Sequence, residues 1–340
     1  MPIMENSSRP PEHLRKILAL AGVSFNGNQP WDITVHDPVV YRRILAQGSL
    51  GFGEAYMDGL WDCPALDQLF DRLLSIESDI EKKLSNRVRF RIALSALYNW
   101  LRNLQSRRRA FQIAEQHYDP GQDVFAATLD PTMNYTCGYW EKAETLEQAQ
   151  IDKMDMICRK LELRKGEIRL TDYRELTGTF DKIAVVGMFE HVGPKNYRTF
   201  FTKVEELLSR QGLFLLHTGY YKTSATSDPW ITKYIFPNGK LPSAAHITRA
   251  MEEIFLIEDW HNFGRHYDST LMAWAERFDR NWDSLKHRYN ERFYRMWKYY
   301  LLCCAGMFRS GRGQLWQIVF SKRSGKQNYR SIRGFSRQAT

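Results

Sequence analysis

Long apolar runs are missing from this chain of 340 residues. None approaches the ~18 residues that a membrane-spanning helix needs. The polar start, Met1–Pro11, lacks the charged-then-apolar design of a secretory signal. The cytoplasm is therefore the expected location. Cysteine is scarce: Cys63, Cys137, Cys158, Cys303 and Cys304. An odd set without a Cys-x-x-Cys pair predicts neither a disulfide framework nor a zinc site, and no metal is expected. Acids are absent from residues 82–114, which carry Lys82, Lys83, Arg87, Arg89, Arg91, Arg102, Arg107, Arg108 and Arg109. They are absent again from 322–340.

What is present is the composition of a folded protein. At 43% hydrophobic and 14% aromatic, the chain is too apolar to stay disordered. A formal charge of +9 suits an anionic partner. In 82–114, Phe90, Leu94, Leu97, Leu101 and Leu104 fall at alternating steps of four and three, one face of a helix. Such a basic amphipathic helix can lie on anionic lipid, or can pack on the core with a solvated basic face. No recognised nucleic-acid module surrounds it, so no nucleic-acid partner is expected.

Lys182–Val186 reads as a buried parallel strand. Glu190 and His191 follow, where open α/β sheets bind ligands; both could equally be ordinary polar residues leaving the sheet. Around this stretch the periodicities predict helices over 12–24, 38–48, 145–163 and 196–210, strands over 31–35, 212–217 and 314–321, and helical aromatics over 269–308. Gly48, Gly51 and Gly53 punctuate the chain after the second helix. Thr145 is a candidate N-cap, and Lys165-Gly166 the end of that helix. Residues 221–243 read as a long loop and candidate lid.

The motifs Gly48–Gly59 (GSLGFGEAYMDG), Tyr135–Trp140 (YTCGYW), Val186–Tyr197 (VGMFEHVGPKNY), Phe214–Thr218 (FLLHT), Asp228-Pro229-Trp230, Tyr234–Gly239 and Tyr267–Trp274 resemble the cyclopropane-fatty-acyl-phospholipid synthases, relatives of the mycolic acid cyclopropane synthases. The resemblance runs from about residue 12 to 320. It implies an α/β chain with a Rossmann-like S-adenosylmethionine methyltransferase sheet over 116–321. A smaller, mostly helical N-terminal domain over 12–115 and disordered ends at 1–11 and 322–340 complete the organisation. In the family a first strand runs into a Gly-x-Gly-type turn, and an acid after the second strand holds the ribose. Here Gly166-Glu167 passes directly into Ile168–Leu176, so a β-α-β-α unit of roughly 50 residues is missing between Glu167 and Ile168.

The resemblance also implies the chemistry. The cofactor's methyl goes to a cis double bond of a phospholipid acyl chain, and loss of a proton closes a cyclopropane ring. A bound bicarbonate accepts that proton, held at Cys137, Glu190, His217 and Tyr267. Cys137 would act through its backbone, Tyr267 through its hydroxyl and His217 through an N–H. Glu190, acceptor-only while ionised, would take the bicarbonate proton or orient His217. Family members have isoleucine two residues after that histidine, where this chain has Gly219. Tyr135, Thr136 and Asp172 match cofactor contacts. Without the resemblance, Cys137 and His217 read as ordinary core residues. Implied partners are unsaturated phospholipid and an anionic membrane surface at the inner face, with a homodimer left open. The alternative is a catalytically inactive lipid-surface-binding protein that lost its cofactor site.

Overall fold

The computed structural model describes residues 9–76, 120–163, 172–221, 227–325 and 328–332. The basic helix expected in 82–114 lies outside them, as do most of 1–11 and of the basic tail. The chain parts into two compact units, Met1–Leu129 with Thr226–Asn238 and Asp268–Arg312, and Asp130–Ala225 with Gly239–Tyr267 and Gly313–Thr340. They interleave along the sequence, whereas the linear reading places one boundary near residue 115.

The first unit is helical. Helices α1 (Glu12–Leu20), α2 (Val39–Gln47), α3 (Ser49–Met57) and α4 (Leu66–Ser75) come first. Residues 31–35 form only a two-residue strand, β1 (Thr34–Val35), paired with β2 (Trp61–Asp62). Gly51 and Gly53 do not break the chain as expected; they lie inside α3. A Cβ at Gly51 would come within 2.2 Å of the Arg43 carbonyl oxygen, and one at Gly53 within 2.4 Å of the Trp230 ring. These glycines serve close approach, which outweighs their cost of about 1 kcal/mol in a helix. After α5 (Gln122–Thr128), the supposed bare loop 221–243 carries a helix, α8 (Pro229–Tyr234). The Asp228 side chain caps it, and Trp230 is buried. The aromatics of 269–308 fall on α10 (Arg265–Leu285) and α11 (Glu291–Arg309), where Trp274, Phe278, Phe293, Trp297 and Tyr300 are core.

The second unit holds a four-stranded sheet in the order β3 (Phe180–Val186), β4 (Leu208–Tyr220), β6 (Gln314–Lys322), β5 (Phe255–Asn262). β3 runs parallel to β4; the β4–β6 and β6–β5 pairs are antiparallel. The alternation of each strand divides its residues between two faces. Phe214, Leu216, Ile318 and Phe320 join the cluster formed with helices α7 (Tyr197–Leu207) and α9 (Ala244–Met251). Leu213, Leu215 and Val319 point the other way, towards Ile157 and Leu161 at the end of α6 (Leu146–Lys160).

Two sequence readings need correction here. Helix α6 does take its cap from Thr145, whose hydroxyl accepts from the Gln148 N–H at 3.2 Å. It ends at Lys160 rather than at Gly166, because Glu162 adopts φ 51° and turns the chain. β3 is parallel as expected but not buried. Among the described residues it pairs only with β4, and its Ala184 is exposed.

Candidate active site

The site begins where β3 ends. Gly187 turns the chain at φ 66°, and its N–H donates to the His217 carbonyl at 3.1 Å. A short 3-10 turn, Phe189–His191, follows, with Phe189 buried in the core. Glu190 is held twice. Its Oε1 accepts the Gly219 N–H at 2.7 Å, and its carbonyl accepts the Lys240 N–H at 2.9 Å. The residue as a whole is half-buried, but Oε2 is shut from solvent and has no partner among the described residues. Burial raises the carboxyl pKa, an effect that the Gly219 N–H only partly offsets. His191 beside it is exposed.

His217 lies near the end of β4 and is 1% exposed. Its Nδ1 stands 3.2 Å from Gln317 Nε2 on β6. Its Nε2 is buried with no partner among the described residues. Burial, with the nearby charges of Lys153 and Lys160, pushes its pKa down to about 3, so the imidazole is neutral at ordinary pH. Two buried polar atoms, Glu190 Oε2 and His217 Nε2, are thus left for something else to satisfy, which is costly unless a ligand or water meets them.

Helix α6 builds the third wall. Lys153 Nζ donates to Asn134 Oδ1 and to Thr136 Oγ1, both at 2.8 Å, and Gln150 Nε2 donates to the Thr136 carbonyl at 2.8 Å. These bonds pin the segment that leads into Cys137, which is fully buried. A Cβ added at Gly187 would sit 3.1 Å from Thr136 Cγ2, so this segment comes up against the end of β3. Further on, the Trp140 N–H donates to His266 Nδ1 at 2.9 Å, which fixes 137–140 next to the start of α10 and Tyr267. The structure therefore links Glu190 to β4 directly, and brings Cys137 and Tyr267 to the same unit through their neighbours.

Of the expected cofactor contacts, Tyr135 and Thr136 lie on the pinned segment. The carboxylate of Asp172 is engaged by Arg174, whose Nε donates to Oδ1 at 2.9 Å and to Oδ2 at 3.1 Å. Sequence reasoning missed Gln150, Lys153, Lys160 and Gln317. The first three had a signal: on α6 they share a face with the buried Ala149 and Met156.

A profile of the mycolic acid cyclopropane synthetase family matches residues 105–170 and 164–318. The cyclopropane-fatty-acyl-phospholipid synthase of Escherichia coli K12 is 44% identical over 357 aligned positions, covering 90% of this chain and 92% of that one. This chain belongs to that family. The mycolic acid cyclopropane synthase CmaA1, solved with SAH and CTAB, superposes with a TM-score of 0.55 at 26% identity, over 61% of this chain and 96% of its own. Coclaurine N-methyltransferase, solved with N-methylheliamine and SAH, shares the fold at a TM-score of 0.62 and 20% identity, over 79% of this chain and 98% of its own. The α/β sheet is that of an S-adenosylmethionine-dependent methyltransferase.

The two profile matches meet at 164–170, across Glu167 and Ile168. Ninety per cent of 340 residues is about 306, so an alignment of 357 positions holds about 50 with no residue from this chain. Among the described residues, the open side of β3 carries no Gly-rich turn into a helix and no acid to order a ribose. The described residues do not by themselves fit the ribose and methionine ends of S-adenosylmethionine. They do fit a small oxyanion, because buried polar atoms of Glu190 and His217 await a partner.

Proposed function

We propose that the activity of this protein is S-adenosylmethionine-dependent formation of cyclopropane rings on the acyl chains of unsaturated phospholipids, exerted once the unit missing between Glu167 and Ile168 is supplied, and that the described residues form the proton-removing part of its site. The observation that carries this reading is the pair of buried, unsatisfied polar atoms on Glu190 and His217, at positions matched by the family motifs. The near full-length relationship to a cyclopropane-fatty-acyl-phospholipid synthase favours an enzyme over an inactive lipid-surface-binding protein.

Cys137, Glu190, His217 and Tyr267 are the residues that would hold bicarbonate. When bound, bicarbonate supplies a base for the ring-closing proton. Neutral His217 donates from Nε2. Glu190, its carboxyl pKa raised by burial, stands ready to hold a proton, and the Gly219 N–H fixes its direction. Lys153 and Gln150 keep the 134–137 segment in place so that backbone groups face inward. Aromatic walls exclude water: Phe263 lies edge-on to His217 at 5.9 Å between ring centres and to Tyr139 at 5.5 Å.

The cofactor's pocket needs the missing unit between Glu167 and Ile168, so no step through the cofactor is derived from these residues. The basic stretch 82–114 would bring the enzyme to an anionic inner membrane surface as a peripheral protein, which is consistent with no described helix being long and apolar enough to cross one. The test is to splice a relative's β-α-β-α segment into the junction and measure cyclopropane fatty acids by gas chromatography and mass spectrometry. Ring products should form in the spliced protein and disappear in its Glu190→Ala and His217→Ala variants. Full product from either variant would remove that residue from the site.

A further inference from the structure

Gln317 is fully buried on β6, directly opposite His217 in the β4–β6 ladder. Cross-strand partners share a face of the sheet, and here they touch, Gln317 Nε2 to His217 Nδ1 at 3.2 Å. A neutral imidazole carries one N–H and one lone pair, and the partner of one nitrogen decides where the proton resides. An amide nitrogen can only donate. Its approach makes Nδ1 the acceptor and leaves the proton on Nε2.

We infer that Gln317 is a positioning residue: it fixes His217 as the Nε2–H tautomer, and so makes Nε2 the hydrogen-bond donor of the oxyanion site. This rests on the reading of that site as a bicarbonate clamp. The surroundings demand a neutral partner on this rung. His261 is the cross-strand neighbour of Gln317 on its other side, and buried Lys160 Nζ lies 3.1 Å from His261 Nδ1 and 3.4 Å from Asp259 Oδ2. A cation at 317 would add to the charges of Lys153 and Lys160. A carboxylate would accept from Nδ1, pull the proton there, and turn Nε2 into an acceptor facing an anion. The amide gives Nδ1 a donor without adding charge.

The experiment is a two-bond proton–nitrogen correlation spectrum of the full chain labelled with 15N-histidine, with the His217 signals assigned by their loss in His217→Asn. The expected wild-type pattern is a bare Nδ1, far downfield, and a protonated Nε2. In Gln317→Glu the two should exchange places, and in Gln317→Met the single-tautomer pattern should be lost. A wild-type proton on Nδ1, or an undisturbed Nε2–H pattern in Gln317→Met, overturns the inference; the wild-type spectrum decides even if a Gln317 variant does not fold. Binding of 13C-bicarbonate, followed by line broadening, tests the underlying reading separately. Gln317→Glu should weaken it roughly tenfold to a hundredfold, the loss of one hydrogen bond to a charged group. An Nε2–H tautomer with no bicarbonate binding in the wild type sinks the clamp and leaves the tautomer assignment standing; bicarbonate binding with the proton on Nδ1 does the reverse.

Discussion

The backbone N–H of Gly219 donates to Glu190 Oε1 at 2.7 Å, which ties the turn after β3 to the end of β4. The carboxylate has a structural task beside the chemical one proposed for it, and the two can be separated. Glu190→Gln keeps an oxygen for the Gly219 N–H and should unfold in urea close to the wild type. Glu190→Leu leaves that N–H unpaired and should cost about 1–3 kcal/mol. Equal stability of the two variants would show that the bond does not hold the turn.

His217 makes stability fall in acid. Its folded pKa is pushed from 6.5 down to about 3, so between those values the unfolded chain binds a proton that the native chain does not. Stability conferred above pH 6.5 is lost as pH falls, by up to about 1.4 kcal/mol per pH unit. Glu190 has the opposite sign: its pKa is raised, so its contribution is lost as pH rises through the folded value. Urea unfolding of His217→Gln between pH 6.5 and 4 should show a flatter dependence than the wild type. An unchanged slope would mean that His217 is charged in the native state.

Lys153 should govern the order of the segment before Cys137. Its two bonds, to Asn134 and Thr136, are made by an amine whose pKa burial lowers to about 8. In Lys153→Met, hydrogen exchange at Thr136–Tyr139 should quicken by roughly tenfold or more, the equivalent of one or two lost hydrogen bonds. The α7 amides should be unaffected. Uniform quickening would indicate global destabilisation instead.

Co-sedimentation with vesicles should rise with anionic lipid content and fall with salt, as screening requires. Replacing Arg107, Arg108 and Arg109 with Gln should weaken it. Equal binding to neutral vesicles would exclude an electrostatic role for 82–114.

Much of this was legible in the sequence, for reasons that differ by residue. Periodicity placed α6 and its Thr145 cap, and the apolar run 182–186 announced a parallel strand. The run by itself read as buried; its exposure was legible only from the missing unit, since taking two strands out of a sheet opens the edges of those that remain. Gly51 and Gly53 misled because a glycine in sequence looks the same whether it breaks a helix or lets one approach Arg43 and Trp230. The end of α6 was misplaced because Glu162, not a glycine, takes the left-handed turn. Glu190 and His217 were found through motifs at strand ends. Gln317 was not, since alternation in a strand covered on both faces flags no single polar residue.

The central claim is that this chain keeps the proton-removing part of a cyclopropane synthase site while lacking the cofactor's ribose and methionine pocket. Isothermal titration of S-adenosylmethionine into the folded chain, with and without a relative's segment inserted between Glu167 and Ile168, tests it most directly. Loss of even three hydrogen bonds of about 1–1.5 kcal/mol each weakens binding by roughly two to three decades. The account predicts binding in the spliced protein and no resolvable binding in the chain as it stands. A micromolar dissociation constant for the unaltered chain would contradict it.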